Sequence, residues 1–164
     1  MDLDSGTRKA IAEVELDGYD RAILRLLSGN GRMPVAEIAR RVGLSKTPVQ
    51  ARIRRLEREG VIAGYRAFLD PIRLGLAHVA FVEVRLVDTR ESALAAFNAA
   101  VREIPEIEEC HMIAGGFDYL LKVRTGDIHA YRRVMAEQIS RLPHVGQTST
   151  YVAMEAVKDE VPGL

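Results

Sequence analysis

Seven basic side chains crowd residues 34–60: Arg40, Arg41, Lys46, Arg52, Arg54, Arg55 and Arg58, against three acids, Glu37, Glu57 and Glu59. A guanidinium offers paired donors to a guanine edge or a phosphate, and an ammonium sits against phosphate as a point charge. The segment PVAEIARRVGLSKTPVQARIRRLEREG reads as two short helices joined by a tight turn, with the arginines concentrated on the second. At about 100° per residue, Val49, Ile53 and Leu56 share one narrow face of that second helix. Thr47, Gln50, Ala51, Arg54 and Arg58 fall opposite. The apolar stripe seats the helix and leaves the other face to read base edges, Gln against adenine and Arg against guanine. Ser45, Lys46 and Thr47 stand at its start. Arg40, Arg41, Arg52 and Arg55 lie off the reading face and suit phosphates. The competing interpretation is a charged helix that is merely solvated.

The elements that must position these groups follow from the flanking residues. Asp17 suits the N-cap of a first helix. Tyr19, Ile23, Leu26 and Leu27 recur within it at helical spacing, and Ser28-Gly29-Asn30-Gly31 ends it. Pro34 suits the first position of a second helix, in which Val35, Ile38, Ala39 and Val42 form one buried stripe. Gly43 breaks that helix and Leu44 fills the angle behind it. The third begins at Ser45, as its cap, or at Thr47 with Pro48 in the first helical position; the sequence leaves both open. Gly60 ends it. VIAGYRAFLDP then reads as strand-turn-strand, the wing of a winged helix-turn-helix.

A second domain follows the break at Asp70-Pro71 and Gly75. His78, Ala80, Val82, Val84 and Leu86 alternate with Val79, Phe81, Glu83 and Arg85, as in a strand with one buried face. A helix over 89–103 carries Leu94, Phe97, Val101 and Ile104 inward. Strands at 107–114 and 119–124 flank the turn Gly115-Gly116-Phe117-Asp118. A helix over 127–141 carries Ile128, Tyr131, Met135, Ile139 and Leu142, and a last strand spans 148–157. The order βαββαβ predicts a ferredoxin-like antiparallel sheet with both helices on one face. The fold class is therefore α+β. The other sheet face, with Val79 and Phe81, needs a cover, and a second copy of the sheet is the simplest one.

Composition narrows the function classes. The 164 residues are 48% hydrophobic and 28% charged with zero net charge, as in ordinary globular domains. Charge is unevenly distributed, with twelve Lys and Arg against nine Asp and Glu over residues 1–64 and eleven against fourteen beyond. A single cysteine, Cys110, fits a reducing cytoplasm. No run suits a membrane helix, and the polar N-terminus has no apolar signal core. Cys110 and His111, adjacent on a strand, point to opposite faces and cannot chelate jointly. His78, His129 and His144 are scattered, so no metal site is expected, nor any cofactor. No phosphate loop, nucleophile elbow or carboxylate pair marks a catalytic residue. Glu106, Glu108 and Glu109 read as a solvated strand entrance.

LSKTPVQARIRRLEREGVIAGYRAFLDPIRLG resembles the helix-turn-helix and wing of the Lrp/AsnC, or feast/famine, transcription regulators. IAGGFDYLLKV resembles the glycine-rich, Asp-containing hairpin of that family's C-terminal amino-acid-metabolism (RAM) domain. The likeness spans roughly residues 16–157. HMIAGGFDYLLKVRT and LPHVGQTSTYVAMEAVK look most like the branch that controls proline catabolism in proteobacteria. The resemblance implies homodimers formed through RAM domains, often assembled as four dimers in an octameric disc, with amino-acid effectors in clefts between dimers. By motif, Gly115, Gly116 and Asp118 would border such a cleft, with Thr148 or Thr150 nearby. The glycines would offer amides to an effector carboxylate, and Asp118 would accept from its ammonium. The same residues also make an ordinary hairpin turn in which Asp118 satisfies turn amides.

The sequence thus describes a cytoplasmic, sequence-specific regulator that binds double-stranded DNA and a small effector, an amino acid such as proline. A disordered tail is expected over 1–15. The winged helix-turn-helix follows over 16–64, the wing strand and linker over 65–77, and the ferredoxin-like dimerisation and effector domain over 78–158. The rival is a small dimeric ferredoxin-like enzyme of monooxygenase or isomerase type with a basic appendage, using His111 or His78. A third option is a basic helix docking on an acidic protein.

Overall fold

Two carboxylates close a reciprocal cap at the start of helix α1 (Gly18–Gly29). The Asp20 amide donates to the Asp17 side chain at 2.8 Å, and the Asp17 amide donates back to Asp20 at 3.1 Å. Both donors lack intrahelical acceptors, so each bond satisfies an otherwise orphaned group. In the computed structural model, which describes residues 14–158, α1 is followed by α2 (Val35–Val42) and α3 (Lys46–Arg58). The tail expected over 1–15 lies outside the described residues except for its last two. Pro34 sits one position earlier than expected, at the N-cap of α2, and Gly43 takes the left-handed conformation (φ 73°) that ends it. Ile23, Ile38, Ala39 and Val49 form the core of the three helices, with Leu26, Leu27, Met33, Val35, Val42, Leu44 and Ile53 packed around them. Tyr19 does not join them. It is 45% exposed, and Leu24 is buried instead.

The expected wing strands do not form. Among the described residues no strand lies between Gly60 and His78. A two-stranded ribbon needs a third strand or an apolar cover to persist, and Phe68 and Leu69 remain exposed. The chain instead turns at Gly60 (φ 73°) and is tied back to α3 by the Tyr65 hydroxyl, which donates to Glu57 at 2.9 Å.

The chain divides between Phe68 and Leu69 into two compact units. The second unit runs β1 (His78–Leu86), α4 (Glu91–Val101), β2 (Ile107–Met112), β3 (Tyr119–Thr125), α5 (Ile128–Glu137), a 3-10 turn (Ile139–Arg141) and β4 (Val145–Val152). All pairings are antiparallel, in the spatial order β2-β3-β1-β4. This is the βαββαβ ferredoxin-like arrangement. Ala80, Val82 and Val84 from β1, Leu121 and Val123 from β3, and Phe97, Tyr131 and Ile139 from the helical layer are buried together. Phe97 stacks on Tyr119 with ring centroids 4.4 Å apart.

Two details depart from expectation. Ile128 is exposed because it begins the first turn of α5, ahead of the buried stripe, and Val134 pairs with Tyr131 instead. β4 begins and ends earlier than 148–157 because its length is set by its partner. Leu86 pairs with Val145 and Ala80 with Val152, and after the Ala153 amide reaches Val79 the ladder is used up.

Candidate nucleic-acid interface and effector loop

Helix α3 is presented as its periodicity requires. Val49 and Leu56 are fully buried and Ile53 is half-buried, while Ser45, Lys46, Thr47, Gln50, Arg54 and Arg58 are exposed. Ser45 takes the N-cap backbone conformation but makes no side-chain cap bond. This resolves the start of α3 and puts Pro48 in the first turn, where a missing amide hydrogen costs nothing. Arg54 and Arg58 have no acidic partner among the described residues, so their donors face solvent.

The remaining arginines are already engaged. Arg40 donates to both Glu37 oxygens, at 2.9 and 2.7 Å, and Arg41 donates to Glu37 at 2.7 Å. These three bonds hold the Glu37 carboxyl at about 2, well below its ordinary range. Exposed pairs of this kind are worth little, so a phosphate can replace Glu37 at small cost. Arg52 and Arg55 differ. From sequence they belong beside phosphates, yet a buried acid takes both. Asp20 is only 1% exposed; it accepts from Arg52 at 2.8 Å and from Arg55 at 2.5 Å. Arg52 also donates to Asp17 at 2.6 Å and lies 5.4 Å from the Tyr19 ring centroid. The Asp20 amide, together with Arg52, lowers the Asp17 carboxyl, and Asp20 and Asp17 raise the Arg52 guanidinium. Periodicity within one helix could not reveal this, because the acid comes from another. The available signal was Asp17 and Asp20 three apart at a helix start, and Arg52 and Arg55 three apart on one flank.

The candidate effector residues occupy two places. Gly115 and Gly116 are exposed in the β2–β3 turn, and among the described residues the amides of Gly115, Gly116 and Phe117 have no intramolecular acceptor. The Gly116 carbonyl accepts from Arg85. Asp118 acts as the last rung of the sheet. Its amide donates to Val84 at 2.9 Å, and one carboxylate oxygen accepts from the Leu86 amide at 2.7 Å, where β3 no longer reaches. Thr148 and Thr150 lie on edge strand β4, opposite Val84 and Val82. Since Val84 also pairs with Tyr119, Thr148 lies two strand spacings from Tyr119, roughly 10 Å. The Thr150 hydroxyl is 2.6 Å from that of Tyr131 on α5. One chain therefore does not gather all five residues around a ligand.

The outer sheet face is mixed. Phe81 (37% exposed) pairs with Tyr151 (54%), beside Val79, Glu83, Lys122 and Arg124. Cys110 pairs with Leu121 toward the helices and His111 with Leu120 on the outer face, so the two do diverge. Burial pushes the Cys110 thiol up to about 11. Glu108 and Glu109 are not simply solvated: they pair across to Lys122 and Arg124 on β3.

Residues 79–162 match the Lrp/AsnC ligand binding domain, and residues 16–63 match a winged helix-turn-helix DNA-binding domain. The chain is 67% identical over 145 residues to the proline dehydrogenase transcriptional activator of Rhodobacter capsulatus, covering 88% of this chain and 94% of that protein. Its fold is similar to that of an AsnC family transcriptional regulator from Agrobacterium tumefaciens, with a TM-score of 0.85 at 36% identity over 90% of this chain and 97% of the other. It is also similar to a transcriptional regulator from Neisseria meningitidis solved in complex with L-methionine, with a TM-score of 0.83 at 30% identity over 88% and 94%.

Proposed function

The chain belongs to the Lrp/AsnC family of DNA-binding transcription regulators and is not an enzyme, and from that premise we propose how its residues divide the work. The exposed outer face of α3 carries the proposal. Gln50, Arg54 and Arg58 read base edges from the major groove, with Thr47 beside them. Ser45 and Lys46 at the helix start, with Arg40 and Arg41 on α2, hold the phosphates. Two such helices, brought by two copies of the chain, meet half-sites about one helical turn apart. The mixed outer sheet face, where Phe81 and Tyr151 remain exposed, is the surface through which the copies pair.

The effector is an amino acid. Three unused amides at 115–117 and the second oxygen of Asp118 complement a carboxylate and an ammonium. Thr148 and Thr150 stand too far away in the same chain, so they complete the cleft only if another copy closes it, as in an octamer of four dimers. The Rhodobacter relative's name and the Neisseria methionine complex both favour an amino acid, and the former favours proline and control of its catabolism. Action on DNA supports a cytoplasmic reading; separately, no described helix is long and apolar enough to cross a membrane.

Gel shifts on the DNA upstream of the chain's own gene test the division. Arg54→Ala relaxes base preference by about 1–3 kcal/mol at one position. Arg40→Ala weakens every sequence alike and makes the salt slope shallower by about 0.9. If neither variant changes binding, α3 is not the reading helix. Saturating proline should shift the melting temperature, while a set of other amino acids serves as the comparison.

A further inference from the structure

We infer that Asp20 is a positioning residue for DNA binding: it clamps the flank of α3 through Arg52 and Arg55, fixes the roll of the reading face, and keeps both arginines off the phosphates. The inference rests on α3 being the reading helix. That helix is seated by a narrow seam, with only Val49 and Leu56 fully buried. A seam of that width sets depth well and rotation poorly, because a helix can roll about a single line of contact. Rotation matters here, since bidentate base contacts fail when donors turn away from the base edge.

Two tethers flank the seam. On one side Tyr65 holds Glu57 at 2.9 Å. On the other, Arg52 and Arg55, one turn apart, converge on the two oxygens of Asp20 at 2.8 and 2.5 Å. The Asp20 carboxylate also accepts the Asp17 amide at 3.1 Å, so the acid that aligns α3 is itself fixed by the cap of α1. Asp17 adds a second acceptor for Arg52 at 2.6 Å. An acid that is 1% exposed, with two charged partners and a backbone donor, does not open readily to solvent, since removing a partner leaves a buried charge uncompensated. Moving Arg52 or Arg55 onto DNA would do that. Arg40 and Arg41, by contrast, are themselves exposed and share Glu37, whose side chain is 31% exposed against 1% for Asp20, so they can leave it.

The test uses the full chain, a duplex it selects from a random-sequence pool, and a shuffled duplex of the same composition, across a potassium chloride series. Arg52→Gln and Arg55→Gln each weaken the selected duplex by about tenfold while the salt slope stays at the wild-type value. Asp20→Asn frees both arginines, so the slope steepens by up to about 1.8 and the ratio of selected to shuffled affinity falls. A slope shallower by about 0.9 in either arginine variant would put that arginine at a phosphate and overturn the inference. An Asp20→Asn protein that melts earlier yet keeps its slope and ratio would also overturn it. If Asp20→Asn does not fold, the two arginine variants decide. Arg54→Gln separates the two levels: if it leaves selectivity unchanged, the assignment of α3 fails; if it relaxes selectivity while the clamp variants behave as phosphate contacts or as simple destabilisers, only the clamp fails.

Discussion

Replacing Asp118 by Asn and by Ala separates its two possible roles. In the folded chain one Asp118 oxygen accepts the Leu86 amide at 2.7 Å beyond the end of the β3 ladder, and Leu86 is 7% exposed. Asp118→Ala leaves that buried amide without an acceptor, which costs about 1–3 kcal/mol. Asp118→Asn keeps an acceptor oxygen and loses only the charge-assisted part of the bond, about 1 kcal/mol. In a domain of this size 1 kcal/mol is roughly 4–8 °C in melting temperature, so calorimetry should place Asn a few degrees below wild type and Ala clearly lower. The effector arm repeats the scans with saturating proline. Ligand at a hundredfold excess over its dissociation constant stabilises the native state by about 2.7 kcal/mol. A neutral side chain cannot pair with the ligand ammonium, so Asp118→Asn loses most of this shift despite near-normal stability. If Asp118→Asn responds to ligand as fully as wild type, Asp118 serves only the turn. If Asp118→Ala melts with wild type, the rung it makes with Leu86 is worth nothing.

Other outcomes follow from single contacts. Glu37 is held at about 2 against an ordinary 4.5 by Arg40 and Arg41, so its contribution to stability is complete above about 4.5 and fades as pH falls toward 2. Because so exposed a pair adds little to global stability, the check is an NMR titration of the Glu37 carboxyl, and a midpoint at the ordinary 4.5 refutes the pairing. Burial raises the Cys110 thiol from 9.0 to about 11, leaving about a hundredfold less thiolate at neutral pH. Its reaction with a disulfide reagent is therefore far slower in the native than in the urea-unfolded chain, and equal rates contradict the burial. A methyl group at Gly146 would meet the Val87 side chain at 2.6 Å. Because Val87 is exposed and can swing away, Gly146→Ala costs only about 0.5–1.5 kcal/mol, and adding Val87→Ala restores the loss; a double variant no more stable than the single one rules out this clash.

Much of this protein follows from periodicity. The stripe Val49, Ile53 and Leu56 told which way α3 faces, because a helix has one repeat and an aqueous protein has one inside. The alternation of β1 and the order of strands and helices gave the ferredoxin-like sheet for the same reason. Asp17 was legible as a cap because cap chemistry is local. What needed the tertiary structure were the relations between segments far apart in sequence. Arg52 and Arg55 look like any surface arginines until α1 brings a buried Asp20 against them. Asp118 reads as a turn residue until the sheet sets it beside the end of β1. The limits of β4 were decided by the length of its partner. Periodicity shows which side of an element is apolar; it does not show which charged group waits on the neighbouring element, because that depends on how the chain returns.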